Sequence, residues 1–103
     1  MTNINEINIT EREKINKETA LINWLDLQTY FAAGNVVYVS NELNLLDVAE
    51  AILKDDKELV SGWMDIKQVD QVTDEQAKDW FEKKADVWAV VVKPFVLVQN
   101  QKT

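Results

Sequence analysis

Neither cysteine nor histidine occurs anywhere in the 103 residues. That excludes disulfides, thiol nucleophiles, Ser-His triads and the usual zinc ligands, so any catalysis would have to run on carboxylates, lysine, tyrosine or hydroxyls. Arginine is nearly missing as well: Arg12 is the only one among 11 basic residues, set against 18 acidic ones for a net charge of −7. A chain this acidic repels phosphate backbones and anionic lipid, and it lacks the guanidinium forks that grip phosphate, which disfavours nucleic acid and membranes as partners. No stretch has the length of a membrane span. Residues 1–10 carry neither a basic region nor the long apolar run of a secretory signal. The expected compartment is the cytoplasm.

Hydrophobic residues make up 47% and charged residues 28% of the chain, ordinary values for a globular protein. The length suits one domain with one modest core. Residues 1–9, asparagine-rich with scattered isoleucines, read as a disordered tail, and 10–103 as a single α+β domain. The strongest apolar stretch is Trp88-Ala-Val-Val-Val-Lys-Pro-Phe-Val-Leu-Val-Gln99, interrupted only by Lys93-Pro94. Consecutive valines are stiff at χ1 and suit a pleated surface, so a buried strand is expected over about 87–99.

Thr10-Glu-Arg-Glu13 has the spacing of a capping box. The helix it opens is expected to run for about 20 residues, roughly 30 Å, to a left-handed cap at Gly34, with Glu18-Thr19 as a place where it could turn. Leu21, Trp24, Gln28 and Phe31 mark one stripe of that helix, and Ile15, Ile22, Leu25 and Thr29 the next. Val36-Val-Tyr-Val39 reads as the first strand, near 36–40. Asn44 and Asp55-Asp56 can cap two further helices, Val69 and Val72 a very short strand, and Thr73-Asp-Glu-Gln76 is a second capping box. The elements do not alternate as βαβ units, so the expected class is α+β: a small antiparallel sheet packed with about four helices.

Together, Glu18-Thr-Ala20, Trp24, Phe31-Ala32, Gly34, Leu46-Asp-Val-Ala49, Asp55-Asp56, Trp63, Gln76-Ala77, Trp80 and above all Trp88–Gln99 resemble a bacterial family of small uncharacterised proteins, domain of unknown function 2288. The resemblance spans Thr19 to Gln99. It implies one domain and the cytoplasm, and no activity. Members often carry arginine where this chain has Ala33 and tryptophan where it has Phe95, so whatever that arginine contacts is met differently here.

Three kinds of site can be read from the residues. Asp47, Glu50, Asp55, Asp56 and Glu58 cluster across two helix ends, and Asp47, Asp55 and Asp56 are candidate Mg²⁺ ligands; solvated helix caps are the competing reading. No organic cofactor is implied. The four tryptophans could stack a ligand, but filling the core is the commoner use of such residues. Three helices followed by two strand-like segments, from Asn44 to Gln99, also follow the order of a winged-helix DNA-binding domain. Its recognition helix would carry Asp74, Glu75, Asp79 and Glu82 against three lysines, and Lys93-Pro94 lacks primed-turn chemistry. As one strand, Val91, Phe95 and Leu97 would face one side with Ala89, and Trp88, Val90, Val92, Val96 and Val98 the other. Such a valine-rich strand invites pairing with a second copy, so a homodimer with interface residues Val91, Phe95 and Leu97 is expected. The most economical reading is an interaction protein, with a carboxylate- or Mg²⁺-dependent enzyme as the alternative.

Overall fold

The computed structural model describes residues 11–101. In chain order these form helix α1 (Glu11–Glu18), strand β1 (Ala20–Asn23), a 3₁₀ turn (Trp24–Leu27), helix α2 (Gln28–Ala32), β2 (Val36–Val39), α3 (Leu45–Leu53), α4 (Lys57–Asp65), β3 (Val69–Gln71), α5 (Asp74–Lys83), β4 (Asp86–Val92) and β5 (Phe95–Asn100). The tail 1–9 and the capping residue Thr10 lie outside the described residues.

The class is α+β, but the sheet is larger than two strands and it is mixed. Five strands run in the order β1-β4-β5-β2-β3. The β5–β2 pair is parallel and the other three pairs are antiparallel.

The single long strand expected over 87–99 is a hairpin. Lys93 and Pro94, joined by a cis peptide bond, form its two-residue turn, and Val90 pairs with Leu97, Val92 with Phe95. Primed turns are one route to a tight hairpin, and a turn with cis-proline at its third position is another. The turn resets the side-chain alternation. Val96 and Val98 join Val87 and Ala89 on one face, while Leu97 joins Val90 and Val92 on the other.

The long first helix is also interrupted. The Thr19 hydroxyl donates to the Ile15 carbonyl (2.7 Å), and Thr19 N–H reaches Asn16 O (3.3 Å), closing α1 after Glu18. Ala20–Asn23 then extends to pair with β4, Ala20 opposite Ala89 and Leu21 opposite Trp88. Asn23 restarts helical structure by accepting from Leu25 N–H (3.0 Å). Tertiary pairing overrides a continuous helical pattern because the strand satisfies the backbone groups of β4, which would otherwise be a bare edge.

Other local signals hold. Asn44 accepts from Leu46 N–H (2.9 Å) and Asp56 from Leu59 N–H (3.2 Å). Thr73 and Gln76 complete the reciprocal capping box, and Gly34 (φ 76°) takes the left-handed position after α2.

Each face of the sheet carries its own core. On one, Trp24, Val36, Trp80, Val87, Ala89, Val96 and Val98 pack with the 3₁₀ turn and α5. Trp24 lies 4.9 Å from Trp80 and 5.5 Å from Phe31, ring centre to ring centre. On the other, Ile15 of α1 and Leu45, Val48 and Ala49 of α3 cover Val39, Val90, Val92 and Leu97. Each fully buried branched side chain contributes roughly 1.5–3 kcal/mol. Trp24 and Trp80 are core residues as expected, whereas Trp63 is half-buried and Trp88 is 38% exposed.

Candidate functional site

The second face is covered unevenly. Helix α4 starts at the Asp56 cap, with Glu58 in the first turn where the dipole favours an acid. Its apolar residues Leu59, Val60, Trp63 and Met64 recur at helical spacing, yet none of its nine residues is buried. Leu59 is 45% and Met64 50% exposed. Two non-glycine residues in left-handed conformation bracket the helix, Asp55 (φ 57°) before it and Lys67 (φ 63°) after it. Asp56 N–H donates to Ala51 O (2.9 Å) and Gln68 N–H to Trp63 O (2.9 Å), fixing both ends. Held at its ends, α4 packs against the core of this face through Trp63 and leaves Leu59 and Met64 about half in solvent.

Beneath it lies a groove of about 370 Å³. Val37, Val69 and Phe95 line it from the sheet, Ile52 from α3, and Val60 and Met64 from α4. Its polar rim is Asp55, Asp56, Lys57, Ser61, Asp70 and Gln71. The volume falls within the range of ligand-binding clefts, and so does the apolar lining with a few polar groups at the edge. Among the described residues Ser61 is the only hydroxyl on it, and the chain has no histidine to activate one.

The three candidate metal ligands divide between two places. Asp55 and Asp56 sit on the groove rim, whereas Asp47 lies on a second depression between α3 and α4 with Glu50, Lys54 and Asp56. Arg12 Nη1 donates to Asp47 Oδ1 (2.6 Å) and approaches Glu50 (4.0 Å). The hydrogen bond to Asp47 raises the Arg12 guanidinium pKa above its ordinary value, against a smaller opposing desolvation. Asp56 caps α4, and Asp55 is paired with Lys57 at 3.9 Å. Among the described residues no group of three or more carboxylates converges on a metal position.

The three candidate interface residues are separated too. Leu97 is fully buried under α3, so it belongs to the core and offers no side chain to a second chain. Phe95 (37% exposed) lines the groove, and Val91 (47% exposed) lies on the opposite face. Strands β4 and β5 are interior to the sheet, and its open edges are β1 and β3. The winged-helix order of elements is likewise not a three-helix unit, because α3 and α5 pack on opposite faces. Lysines on α5 are engaged locally, Lys83 with Asp79 (3.1 Å) and Lys78 with Glu82 (4.0 Å).

Asp55 and Asp56 are legible in the sequence as helix caps, whereas the groove they border is not. The available signal is breadth: apolar residues on α4 spread over two adjoining stripes, more than one buried seam needs.

An α+β domain with a five-stranded mixed sheet and an apolar groove on one face is therefore the class of this protein. The chain matches the family described as "Protein of unknown function (DUF2288)" over residues 10–100, and it belongs to that family. It is also similar to PA1075 from Pseudomonas aeruginosa, known from a solution NMR structure: 37% identity, TM-score 0.80, covering 100% of this chain and 95% of that one. No curated protein matches the sequence. Among the described residues, no helix is long and apolar enough to cross a membrane.

Proposed function

We propose that this is a non-enzymatic interaction protein of the bacterial cytoplasm that holds an apolar segment of a partner protein in the groove beneath α4. The observation that supports it is α4 itself, an amphipathic helix with no buried residue standing over an apolar floor. Covering Val60, Met64 and Phe95 would add burial worth roughly 25 cal/mol per Å² that the isolated chain forgoes. Among the described residues the Ser61 hydroxyl is hydrogen-bonded to none of the rim carboxylates or Lys57, which favours binding over catalysis. A photo-crosslinking residue at Ser61 should give a discrete protein adduct that Met64→Glu abolishes, while the same residue at Lys78 on α5 should not. Equal labelling from both positions would overturn the reading.

A homodimer is the second reading, favoured by exposed apolar surface at the β1 edge and on β4 beyond it. Leu21 (40% exposed) pairs with Trp88 (38% exposed) on one face, and Val91 is exposed on the other. An edge strand of this kind is a ready template for pairing with a second copy about a two-fold axis. Light scattering should give the mass of two chains. A mass of one chain, unchanged at low salt and high micromolar concentration, would sink it.

A further inference from the structure

We infer that the segment held by the groove is apolar and carries lysine or arginine beside its apolar residues. This rests on the docking reading above and adds the partner's chemistry. Among the described residues three carboxylates line the groove, Asp55 and Asp56 at the α3–α4 junction and Asp70 on β3, against Lys57 on the lining and Lys67 beside Asp70. Their side chains reach solvent, Asp55 being 78% and Asp70 50% exposed. Lys57 meets Asp55 at 3.9 Å and Lys67 meets Asp70 at 3.8 Å. Exposed pairs that long are weak, so an arriving cation competes with them on even terms. The net charge of −7 adds long-range attraction for a cationic partner.

A second copy of this chain docked groove to groove fits poorly, since its own rim would bring carboxylates against carboxylates. Strand addition at the neighbouring β3 edge fits poorly as well. That edge is three residues long, and Asp70 Oδ1 already accepts from Gln71 N–H (2.8 Å), a charged cover of the kind that blunts edges. Recognition therefore runs through side chains: apolar ones against Val37, Val60, Met64 and Phe95, with flexible Met64 adjusting to their shape, and cationic ones against the rim.

The structural roles of the three acids survive replacement by asparagine. Asparagine tolerates the left-handed conformation at position 55, caps helices as well as aspartate at 56, and still offers an oxygen to Gln71 N–H at 70. Short synthetic peptides of leucine and lysine, leucine and glutamate, and serine and lysine would be titrated while methyl NMR signals of Val37, Val60 and Met64 are followed. The leucine–lysine peptide should shift these methyls saturably and the other two should not. Asp55→Asn, Asp56→Asn and Asp70→Asn together should weaken it roughly tenfold and flatten its salt dependence, with the thermal midpoint kept. If the leucine–glutamate peptide shifts the same methyls with equal affinity, the cationic preference is overturned and the groove stands. If no peptide shifts them, the docking reading falls with it.

Discussion

The indole Nε1 of Trp80 donates to Asn100 Oδ1 at 2.9 Å and so ties α5 to the end of β5, while Trp24, packed against Trp80, keeps its own Nε1 buried with no partner. The two rings share a core and differ in what their N–H groups meet. Trp80→Phe removes a part-buried hydrogen bond and orphans the Asn100 oxygen, at a cost of about 1–3 kcal/mol beyond the lost ring area. Trp24→Phe loses similar area but also removes an unsatisfied donor, which returns part of the loss. Urea denaturation should rank Trp80→Phe as the more destabilised variant, and the opposite ranking would show that Trp24 Nε1 is satisfied in solution.

Gln99 makes a comparable tie on the other face. Its Nε2 donates to Ser40 O (2.8 Å) and to Leu43 O (2.7 Å), pinning the β2–α3 loop against β5 from a nearly buried position. Gln99→Leu keeps the bulk, orphans the Leu43 carbonyl and leaves the Ser40 carbonyl with only the Leu43 N–H, so destabilisation of about 1–3 kcal/mol is expected. Hydrogen exchange should report the loosening first at the Leu43 amide, which donates to Ser40 O within that loop (3.0 Å).

Arg12 is the cation that joins α1 to α3 through Asp47. Both side chains are substantially exposed, at 40% and 53%, so Arg12→Gln should shift the urea midpoint only slightly. The difference from wild type should shrink further as salt is raised.

Elements with a local cause were legible in the sequence: α3, α4 and α5 by their caps, β2 by its β-branched run, and the Trp24–Trp80 core by composition. What failed was set by distant partners. Nothing near Leu21 announces that Ala20–Asn23 will pair with Trp88 and its neighbours, because a strand pairing fixed across more than sixty residues leaves no mark in the local period. The hairpin was hidden by its turn. Lys93-Pro94 carries neither asparagine nor glycine, and reading through it shifted every later side chain to the wrong face. The same slip made Leu97 an interface residue. The acids at 55 and 56 were visible as caps, but the groove they border depends on how α4 packs against the sheet, which is a matter of tertiary packing.

Leu97 and Phe95 test that correction directly. Both lie on one face of β5 two residues apart, yet Leu97 is fully buried beneath α3 and Phe95 is 37% exposed at the groove. Leu97→Ala opens a cavity in a core that α3 cannot fully close, for which about 2–5 kcal/mol is usual. Phe95→Ala removes a ring that already meets solvent, so it should cost well under the roughly 3–5 kcal/mol of a buried phenylalanine. Ligand binding should sort the pair the other way: Phe95→Ala weakens the leucine–lysine peptide, whereas a milder core change, Leu97→Met, leaves it unaltered at temperatures where the variant is folded. If Leu97→Ala proved nearly neutral in stability while changing the mass measured by light scattering, Leu97 would be an interface residue after all, and the hairpin that buries it would be wrong.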